Sequence, residues 1–527
     1  LLDWKPMPLA ISALVAAAIY VAIAFAIRKR DDMSLLRETW AVLAVAFATI
    51  AVPLALSASV TASVFALEGA GLIWLGFRQS RRLPRWAGVF LQIAAGVAWV
   101  LASLFHQHVN DAPFLNAMFI GSLLLVIGAS VGAWQFDRHG MSRGVSGLAR
   151  IGLLIWAVIW WLVAFINEID TFVIEREPEA ACWLALLSVT GFLLALACPR
   201  VRKLDLGVVL AFGVPLFLAA AGLTVMSAGN AGIQPLAGWP LAAVVVMAVT
   251  GWFSLRGVAP HRIAAVASAT VWWLRWVAVF TVAILLWLDH APTLGQGWHL
   301  LASALPTLLL AALVLWATRW LAMPLTMHAR EIRYAVGACV AVGMVAIGIS
   351  ALGAEGSPKP LPFVPVLNPI DLLLIAVLLF VARAISDEAI PREVRATRPA
   401  VLAVVAFIMA TSMTLRAVHH LGGVPWDGNM PGSSLAELSL TVVWSVIGVV
   451  AWVLGSKRGQ RLLWMAGAAT MALVLLKLLL VDRGHLGNLF GIASFMAYGL
   501  LCTVIGYLAP APPRQVEVPS SESSNAS

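Results

Sequence analysis

Three ionisable residues, Glu68, Arg275 and Lys477, lie inside long apolar stretches of this sequence. A charge in apolar surroundings costs free energy, so such residues usually face a cavity or one another and often have a function. Glu68 lies beside Gly69 and Gly71, where small residues allow two helices to approach closely. This pattern fits a proton-carrying or substrate-binding carboxylate, and equally a structural ion pair or hydrogen bond to another helix.

Lys477 and Arg275 also have simpler explanations. Lys477 stands roughly one to two turns before the end of its apolar stretch, and Asp482 stands at that end. Its long stem can therefore extend to lipid headgroups or to Asp482, and a binding role is the alternative. Arg275 lies between Trp273 and Trp276, and a guanidinium that extends to the headgroups or stacks between the indole rings is favoured over a functional role.

The segment RAVHHLGGVPWDGNMPGSS is the loop with the most reactive side chains. It contains Arg416, His419, His420 and Asp427 among turn-forming glycines. Arg416 with a nearby histidine could hold a phosphate or carboxylate, and the histidines and Asp427 could act as base and acid toward a lipid-linked substrate. A capped loop that folds back on the helices without a ligand is equally consistent. The histidine spacing differs from the i, i+4 spacing of metal-binding helices, so we predict no metal and no cofactor.

Composition indicates which elements must position these residues. Of 527 residues, 61% are hydrophobic and 11% are charged, whereas soluble domains have about 25% charged residues. Apolar runs of roughly 18 to 25 residues recur along the chain, each long enough to cross a bilayer as a helix. We therefore predict an all-α, polytopic transmembrane helix bundle. The basic residues form short clusters between the runs, which argues against nucleic-acid binding.

Arginine and lysine concentrate in alternate loops, and this alternation predicts the topology. We expect about 17 spans. They begin near residues 7, 39, 58, 86, 114, 148, 180, 206, 238, 263, 298, 333, 370, 399, 435, 461 and 488. Because short basic loops stay cytoplasmic, Leu1 is expected outside and Ser527 inside a bacterial inner membrane. Residues 1–509 would form the membrane domain, and residues 510–527 a disordered cytoplasmic tail.

Several stretches resemble a known family: ALEGAGLIWLGFRQSRRLPRWAG, NPIDLLLIAVLL, RAVHHLGGVPWD and the closing WMAGAATMALVLLKLLLVDRGHLGNLFGIASFMAYGLLCTVIGYLAP. From about Trp40 to Pro513 the chain is similar to the predicted bacterial membrane proteins of domain-of-unknown-function family 2339. Members of that family look longer at the N-terminus, so the resemblance implies a C-terminal portion or a short member. It implies no activity. The residues that it places inside family-like motifs are Glu68, Lys477, Asp482, Arg416, His419 and His420.

Three functions fit these observations. A transporter or flippase-like protein would line a path with Glu68 and Lys477 and would carry an internal repeat, although no repeat is evident in the loops or motifs. A membrane-embedded transferase acting on a lipid-linked substrate at the outer face would use Asp427 or a histidine as base and Arg416 on the phosphate. A non-catalytic scaffold of cell-envelope assembly would use its ionisable residues only to hold helices together.

The absence of several catalytic motifs from the sequence argues against some classes of activity. The sequence has no P-loop, dinucleotide fingerprint, nucleophile elbow or HExxH motif, which disfavours ATP-driven pumping and the familiar hydrolases. Of the three functions, transport is favoured over the transferase by a small margin. Whether the protein is an enzyme stays undecided. The expected partners are the lipid bilayer and a lipid-linked or small-molecule substrate.

Overall fold

A computed structural model describes residues 7–27, 58–105, 112–139, 145–198, 204–388, 390–480 and 489–508, with a few further residues between 33 and 51. Within these ranges the chain forms helices joined by loops, and no strand. The predicted all-α class is therefore confirmed. A helix satisfies its own backbone hydrogen bonds, which is why apolar membrane segments adopt it.

The long helices of the described ranges are numbered α1 to α16 here. Their bounds are α1 Met7–Ala26, α2 Ala58–Arg78, α3 Arg82–Phe105, α4 Ala117–Arg138, α5 Val145–Phe172, α6 Arg176–Ala197, α7 Leu204–Asn230, α8 Gly238–Val258, α9 Arg262–Leu288, α10 Gln296–Trp316, α11 Ala329–Gly353, α12 Pro369–Ile385, α13 Arg398–Gly422, α14 Ser434–Lys457, α15 Arg461–Leu480 and α16 Leu489–Leu508. The short helices Thr318–Leu321 and Arg392–Ala396 lie between them.

Among the described residues, 13 helices are long and apolar enough to cross a membrane, namely α2 to α11 and α13 to α15. Helix α12 has 17 residues, and α1 and α16 contain shorter apolar segments. The multi-pass membrane class is confirmed, while the span count and the orientation of the termini stay predictions. The span expected near residue 39 and the tail 510–527 lie largely or wholly outside the described residues.

Two compact units divide the chain, residues 1–275 and residues 276–527. In the first unit α2 packs against α3 and α4, α4 packs against α5, and α6 packs against α7 and α8. In the second unit α10 packs against α11 and α12, α12 packs against α13, and α14 packs against α15 and α16. The second unit thus repeats the packing order of the first. Each helix from α2 to α8 corresponds to the helix numbered eight higher, from α10 to α16.

A short loop motif recurs at matching places in the two units. Pro113-Phe114-Leu115-Asn116 precedes α4, and Pro365-Val366-Leu367-Asn368 precedes α12. Both asparagines are N-caps, and the side chain of each accepts a hydrogen bond from the backbone N–H three residues later. This cap satisfies one of the free N–H groups at the start of a helix. The same P-x-L-N sequence therefore starts equivalent helices.

A second motif, S-V-x-G, recurs in α6 at residues 188–191 and in α14 at residues 445–448. Both serines are fully buried. Gly191 lies against α7, and Gly448 lies against α15, which is the equivalent neighbour. Sequence motifs and helix packing agree, so the chain contains a diverged internal repeat that is not evident from the sequence alone. The two units follow one plan.

Candidate functional site

A buried ion pair joins Arg416 of α13 to Asp371 of α12. Both side chains are 0% exposed. Arg416 donates to Asp371 Oδ1 from Nη2 at 2.8 Å and from Nε at 3.1 Å. A buried pair of this kind is tolerated only when the remaining donors and acceptors are also satisfied.

Those remaining donors are satisfied by the end of α11. Arg416 Nη1 donates to the Ala351 carbonyl at 3.0 Å and to Ser412 Oγ at 2.9 Å, and Ser412 Oγ donates to the Leu352 carbonyl at 2.8 Å. Every nitrogen of the guanidinium therefore donates to the protein itself. The carboxylate that Arg416 holds in this structure is Asp371, and through these bonds Arg416 joins α11, α12 and α13.

The loop before α12 completes the coordination of Asp371. Asn368 Nδ2 donates to Asp371 Oδ2 at 2.6 Å, and the Val366 N–H donates to the same oxygen at 3.0 Å. Val366 has a φ of 71°, which is strained for a β-branched residue and is held only by such contacts. Pro369 occupies the first turn, where its missing N–H costs nothing. The sequence NPID, residues 368–371, therefore supplies both the start of α12 and the carboxylate of the ion pair with Arg416.

The first unit contains a closely similar loop around Glu168 of α5. Asn116 Nδ2 donates to Glu168 Oε1 at 2.6 Å, and the Phe114 N–H donates to Oε2 at 2.8 Å. Phe114 has a φ of 63°, as Val366 has in the second unit. Glu168 is 4% exposed, and no ion pair joins it to another residue of the described ranges. Here the P-x-L-N loop holds a carboxylate without a cation.

His419 and His420 connect the loop after α13 to the loop before α12. His420 Nε2 lies 3.1 Å from the Glu355 carbonyl, and its ring stacks on Phe363 with centroids 4.4 Å apart. His419 Nδ1 lies 2.6 Å from the Val424 carbonyl, and its Nε2 lies 3.4 Å from Glu355 Oε1. The histidines therefore contact protein groups on both loops, as expected for a loop folded back on the helices.

Asp427 lies apart from this cluster, in an exposed turn. Its Oδ1 accepts the Asn429 N–H at 2.9 Å, whereas the neighbouring Trp426 donates from Nε1 to the Gly353 carbonyl at 3.3 Å. Among the residues that the structure describes, no group of three or more His, Cys, Asp or Glu side chains could hold a metal ion. The observed role of Asp427 is to close its own turn.

Lys477 and Glu68 belong to different units and have different surroundings. Lys477 Nζ donates to the Glu437 carbonyl at 3.0 Å and to Thr441 Oγ1 at 2.9 Å, so α14 binds the ammonium group. Asp482, its other expected partner, lies outside the described residues. Glu68 is exposed on α2, and no hydrogen bond or ion pair joins it to another described residue.

Only one of the two glycines beside Glu68 makes the predicted close approach. A Cβ on Gly69 would lie 2.9 Å from the Gly88 carbonyl oxygen of α3, whereas a Cβ on Gly71 would meet nothing within 4 Å. Gly69 therefore packs α2 on α3. Gly71 lies on the open side of α2.

Arg275 is buried rather than extended to the headgroups. Its exposure is 2%, its guanidinium lies 4.8 Å from the ring centroid of Trp272, and Nη2 donates to the Met247 carbonyl at 3.4 Å. Nε and Nη1 have no hydrogen-bond partner among the described residues. The guanidinium thus lies over the indole of Trp272, and not between Trp273 and Trp276 as expected.

An apolar groove of about 720 Å³ runs between α13 and α14. The loop before α12 contributes Pro365 and Val366. The helices contribute Ala410, Met413, Thr414, Ala417, Val418, Leu421, Gly422, Leu435, Ser439 and Val443. Since Asp371 holds the Val366 N–H, the buried ion pair fixes one wall of this groove.

Sequence reasoning found Arg416, His419 and His420 but missed Asp371 and Glu168 as members of the same kind of site. Asp371 stands at the start of an apolar run and reads as an ordinary first-turn acid, and Glu168 stands among other acids. The repeated P-x-L-N sequence is the signal that could have identified both.

Searches of curated proteins and of solved structures found no match to the chain. A family described as "Predicted membrane protein (DUF2339)" does match, over residues 1–512. The match extends to the first residue, beyond the Trp40 at which the resemblance in the sequence begins, and it covers nearly the whole chain. The chain therefore belongs to the DUF2339 family of predicted membrane proteins.

Proposed function

We propose that this protein is a transporter-like membrane protein of the flippase type, which moves a lipid or lipid-linked substrate. The observation that carries the proposal is the internal duplication, with the same packing order and the same two motifs in residues 1–275 and 276–527. Many membrane transporters consist of two repeats of one helical plan. A scaffold that only holds helices together has no need of a duplicated plan.

The groove between α13 and α14 favours a lipid as the substrate. Its volume of about 720 Å³ lies within the roughly 300 to 1,000 Å³ of small-molecule sites. Its lining is aliphatic apart from Thr414 and Ser439, and Thr414 already donates to the Ala410 carbonyl at 2.8 Å. A hydrocarbon chain suits such a lining, because it requires no hydrogen bonds and can pack against the aliphatic side chains.

The buried ion pair has a supporting role in this proposal. Asp371 fixes Val366 at the groove wall, and Arg416 fixes Asp371. The histidine cluster lies at the same end of α13 as the groove residues Leu421 and Gly422. Under the predicted topology this end faces outward in a bacterial inner membrane, so a lipid would enter from the outer leaflet.

The proposal is tested by reconstituting the full chain into phosphatidylcholine vesicles that contain a trace of fluorescently labelled phosphatidylglycerol, phosphatidylcholine or polyprenyl phosphate. Dithionite added outside bleaches only the label in the outer leaflet. A protein that moves lipid raises the bleached fraction above that of protein-free vesicles. No increase with any of the three lipids would overturn the proposal.

A groove variant links the activity to this site. Ala417→Phe places a phenyl ring in the groove and is expected to abolish most of the increase. Ala403→Phe, at an exposed position of α13 outside the groove, is the matched control and should keep it. Equal activity of the two variants would show that lipid does not use the groove. A transferase would instead change the mass of the labelled lipid, which mass spectrometry of the same vesicles detects.

A further inference from the structure

We propose that Arg275 binds an oxyanion, the carboxylate or phosphate group of a ligand, inside the first unit. Arg275 is the fourteenth residue of α9, so it lies about 20 Å along the helix from either end at 1.5 Å per residue. At 2% exposure it cannot exchange its hydrogen bonds with bulk water. The inference concerns other residues than the lipid groove and does not rest on that proposed function.

The hydrogen bonding of Arg275 is incomplete. A guanidinium has five N–H donors, and the structure gives Arg275 a single long hydrogen bond, from Nη2 to the Met247 carbonyl at 3.4 Å. Nε and Nη1 find no partner in the described part of the chain. Buried polar groups are nearly always hydrogen-bonded, so donors left without a partner point to a group that completes them.

Glycines of two neighbouring helices leave room for this guanidinium. A Cβ on Gly251 of α8 would lie 2.3 Å from Arg275 Nη2, and a Cβ on Gly222 of α7 would lie 3.6 Å from Arg275 Cγ. Trp272 stacks on the guanidinium at 4.8 Å. The packing of α7, α8 and α9 therefore accommodates a large cation at a place where an aliphatic side chain would be far less costly.

An oxyanion supplies the hydrogen-bond acceptors and the negative charge that Arg275 lacks. It accepts N–H donors in the geometry that a guanidinium presents, and it neutralises the charge. Arg416 shows what such completion looks like, since Asp371 accepts its Nε and Nη2. The same chemistry is available from a small solute and from a lipid headgroup, which the experiment distinguishes.

The test measures the thermal unfolding midpoint of the purified full chain as anion is added. In one arm, the protein in neutral detergent receives sodium phosphate or sodium acetate up to 100 mM, with sodium chloride at matched ionic strength as reference. In the other arm, nanodiscs of phosphatidylglycerol are compared with nanodiscs of phosphatidylcholine. Ligands that bind only the folded state raise the midpoint, by a few degrees well above Kd.

We expect a rise for the wild type in one arm and its loss in Arg275→Met. A rise in the detergent arm identifies a solute anion, and a rise only with phosphatidylglycerol identifies a headgroup. Gly251→Ala, which keeps the charge but crowds both Nη2 and the Trp272 ring, should reduce the rise. Gly152→Ala, where a Cβ meets nothing within 4 Å, should keep it. Equal shifts in the wild type and Gly251→Ala, or no shift in either arm, would overturn the proposal, even if Arg275→Met fails to fold.

Discussion

The two P-x-L-N loops share a backbone arrangement but differ in how the buried carboxylate is neutralised. In the second unit Asp371 receives the N–H groups of Asn368 and Val366 and also the guanidinium of Arg416. In the first unit Glu168 receives the equivalent N–H groups and no cation among the described residues. The carboxylate is therefore what holds the strained loop, and the cation is a feature of one copy only.

Two of the buried arginines, Arg416 and Arg275, differ in how far their donors are satisfied. Arg416 is satisfied by Asp371, Ser412 and the end of α11, whereas Arg275 in the first unit has two nitrogens without a partner among the described residues. Buried ion pairs occur in both units, Arg416–Asp371 in the second and Arg150–Asp137 in the first.

Breaking the ion pair should have the largest effect. Arg416→Met leaves Asp371 buried without a cation, and we expect a loss of about 3 to 5 kcal/mol in the free energy of unfolding. The measurement is unfolding of the detergent-solubilised protein in increasing sodium dodecyl sulfate. Adding Asp371→Asn to Arg416→Met should recover part of the loss, because the uncompensated charge is then gone.

The exposed Arg392 provides the control for that experiment. Arg392→Met removes the same side chain from the protein surface and should change the free energy of unfolding by less than about 0.5 kcal/mol. A loss as small for Arg416→Met would mean that the pair contributes little, and that Arg416 is available for another role.

Removing the caps compares the two loops directly. Asn116→Ala and Asn368→Ala each delete an N-cap and one donor to a buried carboxylate, so each should cost about 1 to 3 kcal/mol. The expected costs are similar if the two loops are copies of one structure. Asn429→Ala, at an exposed asparagine in the loop before α14, is the control, and unfolding in the same detergent series is the readout.

A large cost at one cap and none at the other would contradict the equivalence of the loops. Asn116→Ala should in addition be the more sensitive to loss of Glu168, because no arginine of the described ranges shares that carboxylate. The double variant Asn116→Ala/Glu168→Gln should therefore be less destabilised than the sum of its single variants.

The sequence predicts the features that local composition decides. It does not predict the contacts that packing between distant helices decides. A bilayer requires long apolar helices, so composition was sufficient for the class of fold and for the 13 helices of the described residues that are long and apolar enough to span. Glu68, Arg275 and Lys477 were visible because each is a charge in an apolar stretch. The partners Asp371 and Glu437 were not, because packing between helices decides them and no spacing along the chain encodes it.

The duplication was missed for a related reason. P-x-L-N and S-V-x-G are each four residues long, and their copies are separated by hundreds of residues of alanine, leucine and valine. Apolar membrane segments resemble one another by composition alone, so a diverged repeat has little contrast against that background. Only the matching order of helix contacts made the motifs significant.

The smallest predicted effect concerns a hydrogen bond that both units have made between equivalent helices. Trp161 Nε1 donates to Thr190 Oγ1 between α5 and α6, and Trp444 Nε1 donates to Thr411 Oγ1 between α14 and α13, both at 3.0 Å. Each threonine also donates to a carbonyl of its own helix, so it keeps a partner when the tryptophan is lost. Trp161→Phe and Trp444→Phe should therefore each cost only about 0.6 kcal/mol, the average for hydrogen bonds between membrane helices.

Unfolding in the same detergent series measures this cost, with Trp316→Phe, at a tryptophan that is 73% exposed, as the control. In the two units the donor and acceptor have exchanged helices, since the tryptophan stands on α5 in one and on α14 in the other. Equal small costs would show that the helix contact was retained while its residues were exchanged. A cost above about 2 kcal/mol at one site would exceed the largest values found for such bonds, and would mean that this indole supports more than a single hydrogen bond in its unit.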